Sequence, residues 1–388
     1  MIGKTPEPDS SRRGPTALFL IPGDMQRQTG GSLYNKKLAE GLTERGFRLE
    51  LATLPDLPYL AGLAVGVVIA PLILIRLAIR KYDVVIEDGW AHPTTFAFNL
   101  VCWLTGRVRL VMIVHQVRCR ATKPPVRFIV RMFERIALRS ARLIVTVSDF
   151  ISSEVERLVG SNERIALARP GSAPLPDTEC IPEESGDEPL RLLFVGNCTP
   201  LKGLDHLIEA LTLLRDIHLR LDIVGDVSLE PHYYKRLARR AKALGMTERV
   251  TFHGAIPHEV LGRFYSRADI FTFPSLYEGY GIVLAEAMQA GLPIVTTRIG
   301  PVNEIVRKDD NALLVAPADS AALAGAIRRL ATDPMLRDSF GRRSRELAGS
   351  LPTWKQTCDS VCQNFAIIMR TIPGTRQATN SIPTRINR

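Results

Sequence analysis

The chain contains no Asp-x-Asp pair, so the carboxylates that commonly clamp a divalent metal against a nucleotide diphosphate are missing. It has no Gly-x-x-x-x-Gly-Lys-Ser/Thr loop, which argues against a P-loop kinase or ATPase. It has no Gly-x-Ser-x-Gly nucleophile elbow. Its six cysteines (Cys102, Cys119, Cys180, Cys198, Cys358 and Cys362) never adopt Cys-x-x-Cys spacing. Cys358 and Cys362 lie one helical turn apart, a packing interval more often than a zinc one. The first residues are polar and do not resemble a secretory leader, so the expected home is reducing and cytoplasmic. Aromatic residues make up only 6%, and no nucleic-acid-binding motif is present, which argues against a nucleic-acid partner.

At 388 residues, 46% hydrophobic and 23% charged, the chain has room for two domains with substantial cores. A net charge of +10 favours acidic partners: nucleoside diphosphates or an anionic membrane face. Leu60 to Ile79 is almost wholly apolar and long enough to span a bilayer. Strand-like segments of one α/β unit, Arg48–Thr53 and Asp83–Glu87, flank it. The reading is therefore a greasy helix laid over a sheet, dipping into one leaflet at most.

From Ala17 the pattern alternates between strand and helix, which predicts parallel sheets with helices on both faces. Strands are expected at Ala17–Ile21, Arg48–Thr53, Asp83–Glu87, Arg109–Val114 and Leu143–Val147. Pro170 to Pro189 has no periodicity and reads as a linker. The alternation restarts at Leu190–Val195 and continues through Leu219–Val224, Val250–His253, Ile270–Phe273, Pro293–Thr296 and Ala312–Val315. Residues 1–14 and 371–388 are polar ends with the composition of disordered tails.

The densest chemical signal is Ser275-Leu-Tyr-Glu278-Gly-Tyr-Gly281-Ile-Val-Leu-Ala-Glu286. An aromatic strand precedes it, and Ala287-Met-Gln-Ala-Gly-Leu-Pro293 follows. Gly279 and Gly281 let the backbone approach an anion, and a helix starting at Ile282 aims free N–H groups at it. Glu278 and Glu286 can then accept from hydroxyls on a sugar and on a ribose.

This stretch resembles the signature of the retaining glycosyltransferases of family 4. The resemblance implies an α/β chain with the GT-B fold, two Rossmann-like domains facing across a cleft. Residues 15–170 would form the acceptor half and 190–352 the nucleotide-sugar half, with 171–189 between them and a helix near 353–370 returning to the first half. It also implies that Glu278 meets the donor sugar and Glu286 the ribose, beside Gly279, Tyr280, Gly281 and Ile282.

In the turn Gly196-Asn-Cys-Thr-Pro-Leu-Lys202-Gly203, Lys202 would offer its charge to the departing diphosphate. A lone lysine at a helix start is ordinarily solvated; the loop around it raises the functional reading. The family usually has arginine where Asn197 stands, which calls for a second cation elsewhere. Gly254 and Ile256 lie where main-chain contacts to the base are expected.

In the first half, Gly30 and Gly31 form a loop over the phosphates or the acceptor. His115 ends a strand and would orient substrate, with no demand for a general base. His92 is a lesser candidate on the acceptor side. Lys123, Arg127, Arg131, Arg135 and Arg139 recur every four residues, spread over about 160° of a helix. That pattern makes either a solvated face or a cationic face for anionic lipid, opposite an apolar one.

The sequence therefore points to a metal-independent retaining glycosyltransferase without cofactor. It would use a nucleoside-diphosphate sugar and a glycan or lipid-linked acceptor, peripheral on the inner face of a membrane. A nucleotide-sugar epimerase on the same fold and a non-enzymatic polyanion- or lipid-binding module are the alternatives. The sugar, base, acceptor and oligomeric state leave no trace in the sequence.

Overall fold

The computed structural model describes residues 14–25, 27, 29–172 and 188–370. The two tails and nearly all of the linker lie outside these residues. The first half runs β1 (Thr16–Pro22), α1 (Gly30–Glu44), β2 (Arg48–Leu54), α2 (Tyr59–Ile79), β3 (Val84–Asp88), α3 (His92–Thr105), β4 (Leu110–Val114), α4 (Arg118–Ala121), α5 (Arg127–Ser140), β5 (Leu143–Thr146), α6 (Asp149–Val159) and β6 (Ile165–Leu167). The second runs β7 (Leu190–Val195), α7 (Leu204–Thr212), β8 (Leu219–Val224), α8 (Pro231–Ala243), β9 (Val250–Gly254), α9 (His258–Arg267), β10 (Ile270–Phe273), α10 (Ile282–Gln289), β11 (Ile294–Thr297), α11 (Val302–Ile305), β12 (Ala312–Val315), α12 (Ser320–Thr332), α13 (Pro334–Ala348) and α14 (Trp354–Arg370).

Each half holds a six-stranded parallel sheet, ordered β2-β1-β3-β4-β5-β6 and β12-β11-β10-β7-β8-β9. Both are doubly wound, so the strand C-termini of each sheet form one edge, the place where such folds bind ligands. Strands buried on both faces read as unbroken apolar runs. In β1, Leu18 and Leu20 pack with Ala70 and Ile73 of α2 and Phe98 of α3. Phe19 and Ile21 belong instead to the cluster holding Tyr34 and Leu38 of α1 and Phe365 of α14. Helix α14 lies against α1, β5 and β6, so the end of the chain returns to the first half.

Four elements went unread in the sequence, two of them the single-turn helices α4 and α11. Strand β6 is a three-residue edge strand, too short for a period. Helix α9 is ten residues long with a glycine inside it, so its apolar stripe is brief.

Helix α2 meets the length and apolarity of a membrane span. Yet β2 and β3, on either side of it, belong to one sheet, so it lies along that sheet. Gly62, Gly66 and Ala70 form its buried face. A side chain on Gly66 would stand 2.9 Å from the carbonyl oxygens of Pro93 and Thr94, so α2 and α3 cross with almost no gap. The opposite face exposes Leu60, Val67, Val68, Leu72, Ile75 and Ile79.

Candidate active site

The cleft places two helix starts face to face. Helix α1 opens at Gly30 and Gly31, with Thr29 Oγ1 accepting from the Ser32 N–H at 3.0 Å. From the other half, Gly281, at φ +106°, opens α10. A Cβ on Gly30 would come 3.6 Å from Ile282 Cδ1, so both positive helix ends address the same space.

Lys202 is placed by backbone geometry. Gly203 has φ +65°, and a Cβ there would lie 2.2 Å from the Pro274 carbonyl oxygen, so the loop closes onto the end of β10 only with glycine. The Lys202 ammonium then sits 5.0 Å from the Phe273 ring centre and ion-pairs with Glu278 Oε1. Ser275 Oγ donates to the same oxygen at 2.7 Å. The sequence assigned Lys202 and Glu278 to different parts of a donor; the structure joins them directly.

Glu286 is buried in α10, where Tyr265 donates to its Oε2 at 2.8 Å. Burial and this carboxylate push the Tyr265 hydroxyl far above its ordinary pKa, so it remains a donor. Asn197 stitches two loops together, its Oδ1 accepting from the Asp226 N–H at 3.3 Å. Gly196 lies in the same tight contact, since a Cβ on Gly225 would fall 2.0 Å from its carbonyl oxygen. Gly254, at φ +72°, has open space beside it, and half-buried Ile256 follows. Tyr280 is buried, which pushes its hydroxyl up to about 12. A Cβ on Gly279 would lie 1.8 Å from the His115 carbonyl oxygen, so glycine here lets the halves touch.

His115 is held by a chain of hydrogen bonds. Asp88 accepts from the Trp90 N–H at 2.8 Å and from Asn35 Nδ2. The amide orientation of Asn35 is thereby set, and its Oδ1 faces His115 Nε2 at 3.0 Å. An amide oxygen can only accept, so Nε2 carries the proton and Nδ1 keeps its lone pair. Burial depresses the His115 pKa despite Asp88 at 3.6 Å, which favours the neutral ring. A Cβ on Gly31 would press on this ring at 3.3 Å.

Two expectations are corrected. His92 is buried with both ring nitrogens engaged, so it offers no free nitrogen to a ligand: its Nδ1 meets the Gly89 carbonyl at 2.7 Å, its Nε2 the Tyr59 hydroxyl at 3.0 Å, and burial lowers its pKa to about 3. The basic helix is also less regular than its period suggested. Lys123 precedes α5, and Arg139 is half-buried with a bond to the Val159 carbonyl, leaving Arg127, Arg131 and Arg135 exposed. Phe128 and Met132 are exposed among these three, so cationic and apolar residues share one face.

Contacts across the cleft were not read from sequence. Tyr277 Oη accepts from the Val117 N–H at 3.1 Å, and Ser148 Oγ donates to the Gly279 carbonyl at 2.6 Å. Glu304 accepts from the Asp149 and Phe150 N–H groups at 3.0 and 2.9 Å, capping α6 from the opposite half. Asn35 could have been suspected one helical turn after Gly31; Asp88, Tyr265 and Glu304 leave no local signal.

The paired sheets, their facing edges and this cleft define a GT-B glycosyltransferase. Comparisons agree: residues 29–171 match the model of a glycosyl transferase 4-like domain, and 179–347 that of glycosyl transferases group 1. The chain belongs to this family-4 type of glycosyltransferase. It is 29% identical to the alpha-D-kanosaminyltransferase of Streptomyces kanamyceticus, over 68% of this chain and 71% of that one. Sucrose-phosphate synthase of Thermosynechococcus elongatus superposes with TM-score 0.80 at 21% identity, covering 92% of this chain and 99% of that one. Anabaena HepE, solved with UDP-glucose, superposes with TM-score 0.75 at 18% identity, covering 91% and 99%.

Proposed function

We propose that the protein moves a sugar from a nucleoside-diphosphate sugar to a glycan or lipid-linked acceptor, with retention of configuration and without a metal ion. The observation that carries this reading is the convergence of two helix starts beside the Lys202–Glu278 pair. Backbone N–H groups and one ammonium can hold a diphosphate and stabilise the charge that grows as it leaves. A diphosphate would compete for Lys202, releasing Glu278 to accept from sugar hydroxyls. Glu286, steadied by Tyr265, would take the ribose diol. With Asn197 occupied between loops, helix ends supply the positive charge that arginine gives elsewhere in the family.

His115 suits positioning: Nε2 is committed to Asn35, and a neutral Nδ1 can accept from a substrate hydroxyl. That the donor is a nucleotide sugar is supported by HepE, which was solved with UDP-glucose. The exposed apolar face of α2 and the exposed arginines of α5 support work at an anionic membrane surface in the cytoplasm.

Thermal shift against a panel of nucleotide sugars, with and without EDTA, tests this. One nucleotide sugar should raise the melting temperature in EDTA, and Glu286→Ala should abolish the shift. Lys202→Ala should lower turnover roughly 10²-fold or more. Release of free nucleotide only when acceptor is present separates transfer from epimerisation. No stabilisation by any nucleotide sugar would overturn the reading.

A further inference from the structure

Arg118 follows β4 and stands at the cleft edge of the first sheet, one residue after the Val117–Tyr277 contact. Its guanidinium lies between two aromatic faces, 5.1 Å from the Tyr59 ring centre and 4.7 Å from that of Trp90. One Nη1 proton goes to the Trp90 carbonyl at 3.1 Å. Among the described residues, the Nε and Nη2 groups have no hydrogen-bond partner, and neither is sealed from solvent.

The neighbouring carboxylates are engaged elsewhere. Glu134 accepts from the backbone N–H groups of Arg118 and Cys119, at 2.6 and 2.9 Å. Asp56 pairs with Arg27, and Asp88 is bonded to Trp90 and Asn35. A half-buried guanidinium without an ion-pair partner is costly unless a ligand brings the anion. Stacked on rings, its planar fork loses little freedom when it grips a phosphate through two N–H groups.

The position says which phosphate. Trp90 and Arg118 both follow strand C-termini in the acceptor half, while Tyr59 is the first residue of α2, whose outer face is apolar and exposed. A ligand whose phosphate reaches Arg118 can lay an aliphatic tail along α2 and its reacting end in the cleft. We propose that Arg118, clasped by Tyr59 and Trp90, binds the phosphate or diphosphate of a lipid-linked acceptor. This rests on the glycosyl-transfer reading above and names the acceptor class for it.

The test measures binding, so it stands apart from donor use. Farnesyl diphosphate, farnesol and inorganic pyrophosphate are titrated into the full chain carrying Lys202→Ala, which weakens diphosphate binding at the donor position. Farnesyl diphosphate should bind more tightly than the other two probes, and Arg118→Gln should weaken it about tenfold or more. Arg118→Lys, which keeps the charge but not the fork, should weaken it less. In the otherwise native chain, stabilisation by the nucleotide sugar should survive Arg118→Gln, showing an intact fold. If that variant does not fold, Arg118→Lys decides, and an unchanged affinity there sinks the proposal. Pyrophosphate binding as tightly as farnesyl diphosphate, both lost in Arg118→Gln, keeps the phosphate site but assigns it to a soluble phosphorylated acceptor. Equal farnesyl diphosphate affinity with and without Arg118, or none at all, overturns the inference.

Discussion

Glu87 shows how one buried residue can set a pH dependence of stability. It is wholly buried in β3, where Thr95 and Asn99 donate to its Oε1 at 2.6 and 3.0 Å. Among the described residues, its Oε2 and the Asn99 Oδ1 have no hydrogen-bond partner. A proton on Oε2 is therefore favoured, and burial lifts the pKa from its ordinary 4.5 to about 7. With the folded value above the unfolded one, its stabilising protonation is complete below pH 4.5 and is lost as pH rises to 7. The loss amounts to about 3 kcal/mol. Urea titrations of native protein and Glu87→Gln should diverge by that amount across this range, with the variant the flatter of the two. Parallel pH profiles would show that Glu87 does not titrate there.

At the scale of the element, α2 combines two demands that rarely share a helix. Gly62, Gly66 and Ala70 form a flat strip for α3, while the outward face carries six exposed large aliphatic residues. Ordinary surface helices expose polar side chains. Continuous apolar exposure marks a surface that meets something apolar. In the proposed membrane reading, the exposed arginines of α5, with Phe128 and Met132 between them, would add attraction to anionic headgroups. Val68→Glu with Leu72→Glu should release the protein from anionic vesicles on sedimentation, and so should charge reversal at Arg127, Arg131 and Arg135. Unchanged sedimentation in both would remove the membrane from the proposal. Helix α9 carries a different lesson: unread in the sequence, it brings Tyr265 to Glu286, a contact made only in the packed domain.

Across the whole molecule, closure is held by polar contacts between the halves. Glu304 caps α6 with two charge-assisted bonds, and Arg169 lies 3.5 Å from the same carboxylate. Closing a cleft excludes water from an activated sugar. Glu304→Ala should leave each half folded while opening the pair. The expected signature is a larger radius of gyration and a higher ratio of donor hydrolysis to transfer. Unchanged values of both would show that the cap contributes nothing to closure.

The linear chain by itself determined the doubly wound halves, because strands buried on both faces must be apolar runs and their crossovers amphipathic. It also marked Lys202, Glu278 and Glu286, since glycines at a strand–loop–helix junction mean close backbone approach. Only the tertiary structure decided what lies opposite what. It paired Lys202 with Glu278, oriented His115 through Asn35 and Asp88, capped α6 with Glu304 and engaged both ring nitrogens of His92. Those contacts join residues distant in sequence, and neither spacing nor propensity carries information about which side chains packing will bring within hydrogen-bond reach.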